Sequence, residues 1–243
     1  MDKGGSGPVY SRILLKLSGE ALMGDAAYGI SPHFIDQVAM EIREVHALGV
    51  EPGIVIGGGN IFRGISGAAE GMDRASADQM GMLATVINSL AMKDSLERHN
   101  VPARVLSAVD VGKMAEPFIR GRAIKHLERK RVVIFAAGTG NPFFTTDTAA
   151  ALRALEINAD ALFKATRVDG VYDSDPEKNS NAVKFDSLTY QDILEKDLKV
   201  MDAAAIALAR DAGLPVKVFN MQKKGNIKRA VTGQNVGTAI VAR

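Results

Sequence analysis

Short apolar runs alternate along the chain with longer stretches in which apolar residues recur at every third or fourth position. The runs are RILLKL at 12–17, GIVI at 53–56, ARVLS at 103–107, VVIFAA at 132–137, ADALFKAT at 159–166, VKVFN at 216–220 and TAIVA at 238–242. Their continuity predicts strands buried on both faces rather than strands with one wet face. Helical periodicity fills the gaps between them. One helix starts at Ser31-Pro32, an N-cap with proline in the first turn, and runs to Leu48, where Gly49 closes it. Others are predicted at about 73–99, 117–130 and 202–212, and after the turn at 138 through Leu155. Strands alternating with helices predict an α/β fold with a mostly parallel sheet covered on both faces. There is no internal repeat and no low-complexity linker. The longest irregular stretch, rich in Asp, Ser, Asn and Pro, lies between the 159–166 strand and Ser187.

Three turns follow predicted strands: Lys16-Leu17-Ser18-Gly19, Gly57-Gly58-Gly59-Asn60 and Gly138-Thr139-Gly140-Asn141. In open α/β sheets that edge is where ligands bind. Glycines let backbone N–H groups approach an anion, and a following helix N-terminus adds partial positive charge. Any one turn is equally a tight connection. The three together suggest a long charged ligand or two phosphorylated ligands end to end.

Composition narrows the field. The 243 residues are 47% hydrophobic and 24% charged, with a net charge of +2, so a globular protein with no strong electrostatic case for nucleic acid is expected. No cysteine is present, which excludes disulfides, thiolate metal sites and a catalytic thiol. The first residues do not read as a signal peptide, and no apolar run approaches the roughly 20 residues that span a bilayer. A cytoplasmic location and no membrane partner are expected. No Gly-x-x-x-x-Gly-Lys-Ser/Thr occurs. GGGNIFRG has Phe62 where a dinucleotide fingerprint needs its last glycine. Protein-kinase signatures are absent. His33, His46, His99 and His126 lie in helical patterns without metal spacing.

Lys16 and Lys164 stand inside apolar strands, close to glycine turns. Each alone is compatible with a lysine snorkelling from a strand end. Together they fit a phosphoryl clamp, because phosphoryl transfer needs chiefly positioning and positive charge. Asp147 opens the helix after the third turn, where it can offset the helix dipole, orient the two lysines, or both. Phe143 and Phe144 are expected to pack in the core or a wall. The stripe Met80, Met82, Leu83, Val86, Ile87, Leu90 is expected to be mainly core, with a subunit interface as the minority alternative. Residues 223–229 (KKGNIKR) read as a solvated charge run, and Asp202 as a helix cap, with a catalytic or subunit-contact role as the alternative.

The strings ILLKLSGEAL, VIGGGNIFRG, AGTGNPFFTTDTAA, KATRVDGVYDSDP, LKVMD and VFNM together resemble the bacterial UMP kinases, members of the amino-acid kinase family. GTGNPFFTTD carries the finer resemblance. It implies a three-layer αβα sandwich forming a single domain, with an acceptor-binding part at about 1–160 and an ATP-binding part at about 161–243. It also implies transfer of the γ-phosphate of ATP to UMP, Mg2+ carried by the nucleotide without a protein metal site, a homohexamer, activation by GTP and inhibition by UTP. By position, Lys16, Leu17, Ser18 and Gly19 are implied at the ATP phosphates, with Gly59 and Arg63 near the transferred group. Thr166, Tyr172 and Asp175 are implied at the ATP nucleoside. Gly58, Asp78, Thr139, Gly140, Asn141, Pro142, Phe143, Phe144, Thr145 and Thr146 are implied at UMP. Lys16, Arg63, Asp147 and Lys164 would carry catalysis. Gly24, Asp25, Ala26, Ala27, Tyr28, Gly29, Lys93, Arg104 and Arg131 match the GTP effector segment, with Lys93 where arginine is expected. The alternatives are a relative phosphorylating a carboxylate or carbamate, and a nucleotide sensor without turnover.

Overall fold

The structure is a computed structural model that describes residues 7–24, 26–63, 71–176 and 178–242. Among these, nine strands form one sheet. They are β1 (Arg12–Leu17), β2 (Glu51–Ile56), β3 (Ala103–Ser107), β4 (Glu116–Pro117), β5 (Val132–Ala136), β6 (Ala161–Thr166), β7 (Ser187–Thr189), β8 (Val216–Asn220) and β9 (Thr238–Val241). Their order is β4-β3-β5-β2-β1-β6-β8-β9-β7. Neighbours are parallel from β4 to β8. β9 runs antiparallel to β8, and β7 is parallel to β9.

The helices are α1 (Pro32–Ala47), α2 (Arg74–Arg98), α3 (Arg120–Glu128), α4 (Thr146–Glu156), α5 (Tyr190–Glu195), α6 (Ala203–Asp211) and α7 (Asn226–Val231). Side chains alternate across the sheet, so each strand feeds two cores. Ile13, Leu15 and Leu17 of β1 pack with Ile35, Val38 and Ile42 of α1 and Val86 of α2. Leu14 faces the other way, among Ala123 of α3, Ala150 and Ala154 of α4 and Ala205 and Ala209 of α6. That gives the three layers. It also fixes the face of Lys16, which shares Leu14's parity and so emerges on the α4 side. Lys164 pairs with Lys16 in the β1–β6 register, so the sheet itself sets the two lysines side by side.

Side-chain caps open α1, α2 and α6, and two of these, Ser31 and Asp202, the sequence identifies as such. Ser31 accepts from the Phe34 N–H, Asp73 from that of Ser76, and Asp202 from that of Ala205. Other expectations need correction. The helix expected from 117 starts at Arg120, because Glu116–Pro117 pair with Leu106 and Ser107 as β4. The 223–229 run is not simply solvated: α7 begins within it and buries Asn226 and Ile227. The α2 stripe splits. Met82 and Val86 are buried, whereas Met80, Leu83 and Ile87 are exposed. Of the core and wall places open to Phe143 and Phe144, neither takes the core, being 68% and 52% exposed, and Phe144 stands in a cavity wall.

Candidate active site

Lys16, Asp147 and Lys164 converge at the carboxyl ends of β1 and β6. Lys16 Nζ lies 2.8 Å from Asp147 Oδ1, and Lys164 Nζ lies 2.7 Å from Asp147 Oδ2. Lys164 also donates to the Val200 carbonyl at 2.5 Å. Sheet register supplies the lysines, and the N-terminus of α4 supplies the carboxylate between them. Thr145 caps that helix, its hydroxyl accepting from the Asp147 and Thr148 N–H groups. Burial pushes the Asp147 carboxyl up, but the ammonium groups of Lys16 and Lys164 outweigh it and hold the acid below its ordinary value. Burial lowers Lys164 and the neighbouring Lys16 adds to the effect, with Asp147 opposing both. Both roles open to Asp147 are therefore geometrically available: it stands in the first turn of α4 and it bridges the lysines.

One cavity of about 540 Å3 opens beside Lys164. Thr166, Tyr172 and Asp175 line it, with Gly170, Leu198, Lys199 and Val200. Its walls come from the long loop after β6, which folds back through a bridge between Tyr172 and Lys184, and from the segment before α6. A second cavity of about 360 Å3 lies against α2, with Thr145 and Thr146, the two residues before Asp147, in its wall. Gly58, Asp78, Thr139, Asn141, Phe144, Thr145 and Thr146 line it, and so do Gly59 and Arg63. Arg63 pairs with Glu20, in the 3-10 turn at Gly19–Met23.

Close backbone approach explains two of the glycines. A Cβ on Gly19 would sit 2.4 Å from the Gly57 carbonyl, so the first two turns touch main chain to main chain. A Cβ on Gly58 would meet the Gly81 carbonyl at 2.8 Å and Ala84 Cβ at 2.9 Å, so this turn lies directly on α2. A buried amide pair locks the same contact. Asn88 Nδ2 donates to the Gly57 carbonyl and to Asn60 Oδ1, both at 2.7 Å, and Asn60 Nδ2 donates back to Asn88 Oδ1 at 3.0 Å. Gly140 takes a positive φ of 84°, and the non-glycine Phe143 one of 69°. That strain turns the Phe143 N–H toward Asp78, which accepts it at 2.8 Å. Gly140, Pro142 and Phe143 thus shape the turn, while its other members border the cavity.

Within the chain the eight described effector-segment residues fall into two separate groups. Lys93 lies 2.8 Å from Glu97, and Arg104 lies 3.7 Å from the same carboxylate. Arg104 also reaches Glu116 at 3.9 Å; Glu116 meets His126, which Arg131 contacts at 3.1 Å. Gly24 and Gly29 lie elsewhere: Gly24 packs against Ser31, and Gly29 exchanges hydrogen bonds with Asn60. Ala26, Ala27 and Tyr28 are exposed or half-exposed beside them, and Asp25 lies outside the described residues.

Four residues of the site are not among the site residues expected from the sequence. Arg74 grips Asp78 through Nε at 3.0 and 2.9 Å and lines the second cavity. Thr85 accepts the Ala137 N–H at 2.8 Å. Asn88 and Asp202 hold turns in place. Two had a signal: the Arg74–Asp78 pair in its i,i+4 spacing on a helix, and Asp202 in its place before a helical stretch. Among the described residues, no cluster of three or more His, Cys, Asp or Glu side chains is placed to hold a metal ion. No helix there is long and apolar enough to cross a membrane.

Comparison with known proteins agrees with this geometry. The solved structure of UMP kinase from Bacillus anthracis superposes with a TM-score of 0.92 at 43% identity, over 96% of each chain. That of UMP kinase from Ureaplasma parvum gives 0.90 at 38% identity, over 95% of this chain and 98% of the other. Uridylate kinase from Archaeoglobus fulgidus gives 0.74 at 29% identity, over 94% and 99%. The profile of the amino acid kinase family matches residues 11–220. With that profile spanning most of the chain and relatives 43% and 38% identical over nearly its whole length, the chain belongs to the amino acid kinase family.

Proposed function

We propose that the protein transfers the γ-phosphoryl group of ATP to UMP, giving UDP and ADP. One observation carries this: Asp147 bridges two lysines, Lys164 opens to one cavity, and the GTGNPFFTT turn that leads into Asp147 walls a second. The relatives solved as UMP kinases, at 43% and 38% identity, support it. The acceptor part is then about 1–160 and the donor part about 161–243. Thr166, Tyr172 and Asp175 hold the ATP nucleoside, and Lys16, Leu17, Ser18 and Gly19 meet its phosphates. Gly58, Asp78 and residues 139–146 hold UMP.

UMP offers a phosphate monoester whose second pKa is about 6, so at pH 7 it is already a dianion. It needs no general base. The barrier is repulsion between two polyanions, and Lys16, Lys164 and Arg63 offset it, with Gly59 admitting the transferred group close to the backbone. Asp147 holds both ammonium groups on one point rather than taking a proton. Mg2+ bound to the triphosphate would add charge neutralisation to that of the lysines.

The proposal extends to pyrimidine nucleotide synthesis in the cytoplasm, to a homohexamer, and to activation by GTP and inhibition by UTP. The exposed row Met80, Leu83, Ile87 favours self-association through α2. The basic residues Lys93, Arg104 and Arg131 favour an anionic effector. The test is 31P NMR of the protein with Mg·ATP and UMP. Growth of the UDP and ADP resonances together is expected; an unchanged γ-phosphate signal overturns the proposal.

A further inference from the structure

Asp202 lies outside both cavities but touches the frame of each. It stands at the N-cap of α6, and its Oδ1 accepts the Ala205 N–H at 2.8 Å. The same carboxylate accepts the Thr148 hydroxyl at 2.8 Å on both oxygens and the Thr145 hydroxyl on Oδ2. Thr145 lines the acceptor-side cavity and caps α4. The residues just before Asp202 run the other way: Leu198, Lys199 and Val200 line the donor-side cavity, and the Val200 carbonyl receives Lys164. A helix cap needs one acceptor oxygen. This carboxylate takes three donors from two helices, more than capping requires.

We infer that Asp202 is a positioning residue for the transfer step: it fixes Thr145 at the acceptor cavity and ties that turn to the strand of chain that walls the donor cavity. Thr145 has a fixed hydrogen-bond order. Its oxygen accepts from the Asp147 and Thr148 N–H groups, so its proton must go to an acceptor, and Asp202 is that acceptor. The charge on Asp202 also favours the ammonium form of Lys164. The inference rests on the proposed phosphoryl transfer.

Asp202→Asn is the test. Asparagine keeps the α6 cap, since Asn and Asp cap equally well. Its amide nitrogen cannot accept the Thr145 proton. The expected result is a fall in kcat of about 10- to 100-fold, as for misplaced reacting groups, with an unchanged melting temperature and a smaller change in KM for ATP. Thr145→Ala should lower kcat similarly, and the double variant should be no worse than the worse single one, because both remove the same link. Normal kcat in Asp202→Asn, a loss confined to stability, or additive losses would overturn the inference while leaving UMP phosphorylation standing. If the unaltered protein does not turn over UMP, the functional proposal is what fails. Asp202 is then read by amide hydrogen exchange: exchange at Asp147 and Thr148 should be about tenfold faster in Asp202→Asn, and unchanged exchange there would overturn it.

Discussion

Replacing Asp147 by asparagine removes the carboxylate that Lys16 and Lys164 share at 2.8 and 2.7 Å. The lysine side chains are only 12% and 15% exposed, so water cannot take its place. Breaking a buried pair by deleting one partner costs about 3–5 kcal/mol, most of it the uncompensated charge left behind. A ceiling follows from lysine itself. An ammonium that cannot be tolerated can release its proton, and from an ordinary value near 10.4 that costs about 4.6 kcal/mol at pH 7. The two routes converge, and a loss of about 3–5 kcal/mol is expected in denaturant unfolding at pH 7. The pH dependence has a definite sign. The folded-state acid lies below its ordinary value, so ionised Asp147 favours the fold at pH above about 3.9. That contribution vanishes as pH falls through the folded value, and the gap between Asp147→Asn and the unaltered protein should narrow in acid. A loss under about 1 kcal/mol at pH 7, or a gap that persists in acid, would refute the shared-carboxylate account.

Three further outcomes are expected. Lys16→Ala should lower kcat far more than it raises KM for UMP; a pure KM effect in steady-state kinetics would contradict a role at the transferred phosphoryl. Because burial holds Lys164 below its ordinary value, its charge is lost at a pH lower than for free lysine; kcat/KM for ATP should therefore show an alkaline limb below pH 10.5 that moves up in Lys164→Arg, and a limb that stays put would contradict it. Gly58→Ala should cost about 1–3 kcal/mol of stability and raise KM for UMP, because its Cβ would be 2.8 Å from the Gly81 carbonyl; a variant with unaltered melting and KM would contradict the close packing of this turn on α2.

The central sheet was legible because its strands are continuous apolar runs, and the one flaw in two of them, a lysine, was also the chemistry. Register then did what spacing could not, setting Lys16 opposite Lys164. Caps at Ser31 and Asp202 were readable because an oxygen-bearing residue precedes each periodic stretch. β4 and β7 were not, since strands of two and three residues leave no period to detect. The α2 stripe shows a different limit. Spacing says that Met80, Leu83 and Ile87 share a face, but not that the face lacks a neighbour. Phe143 failed as a core residue because its backbone is committed to presenting an N–H to Asp78, which leaves the ring outward. Asp202 was read first as a cap, with a catalytic or subunit-contact role second, because the hydroxyls it collects come from 54 and 57 residues away.

The most direct measurement is ADP release from Mg·ATP with separate acceptors: UMP, CMP, AMP, glutamate, N-acetylglutamate, aspartate and carbamate. Turnover confined to UMP is predicted, with the GTGNPFFTT turn as the nucleotide pocket. Turnover with one of the acids and none with UMP would contradict the acceptor assignment, and silence with all seven from folded, ATP-binding protein would contradict catalysis itself.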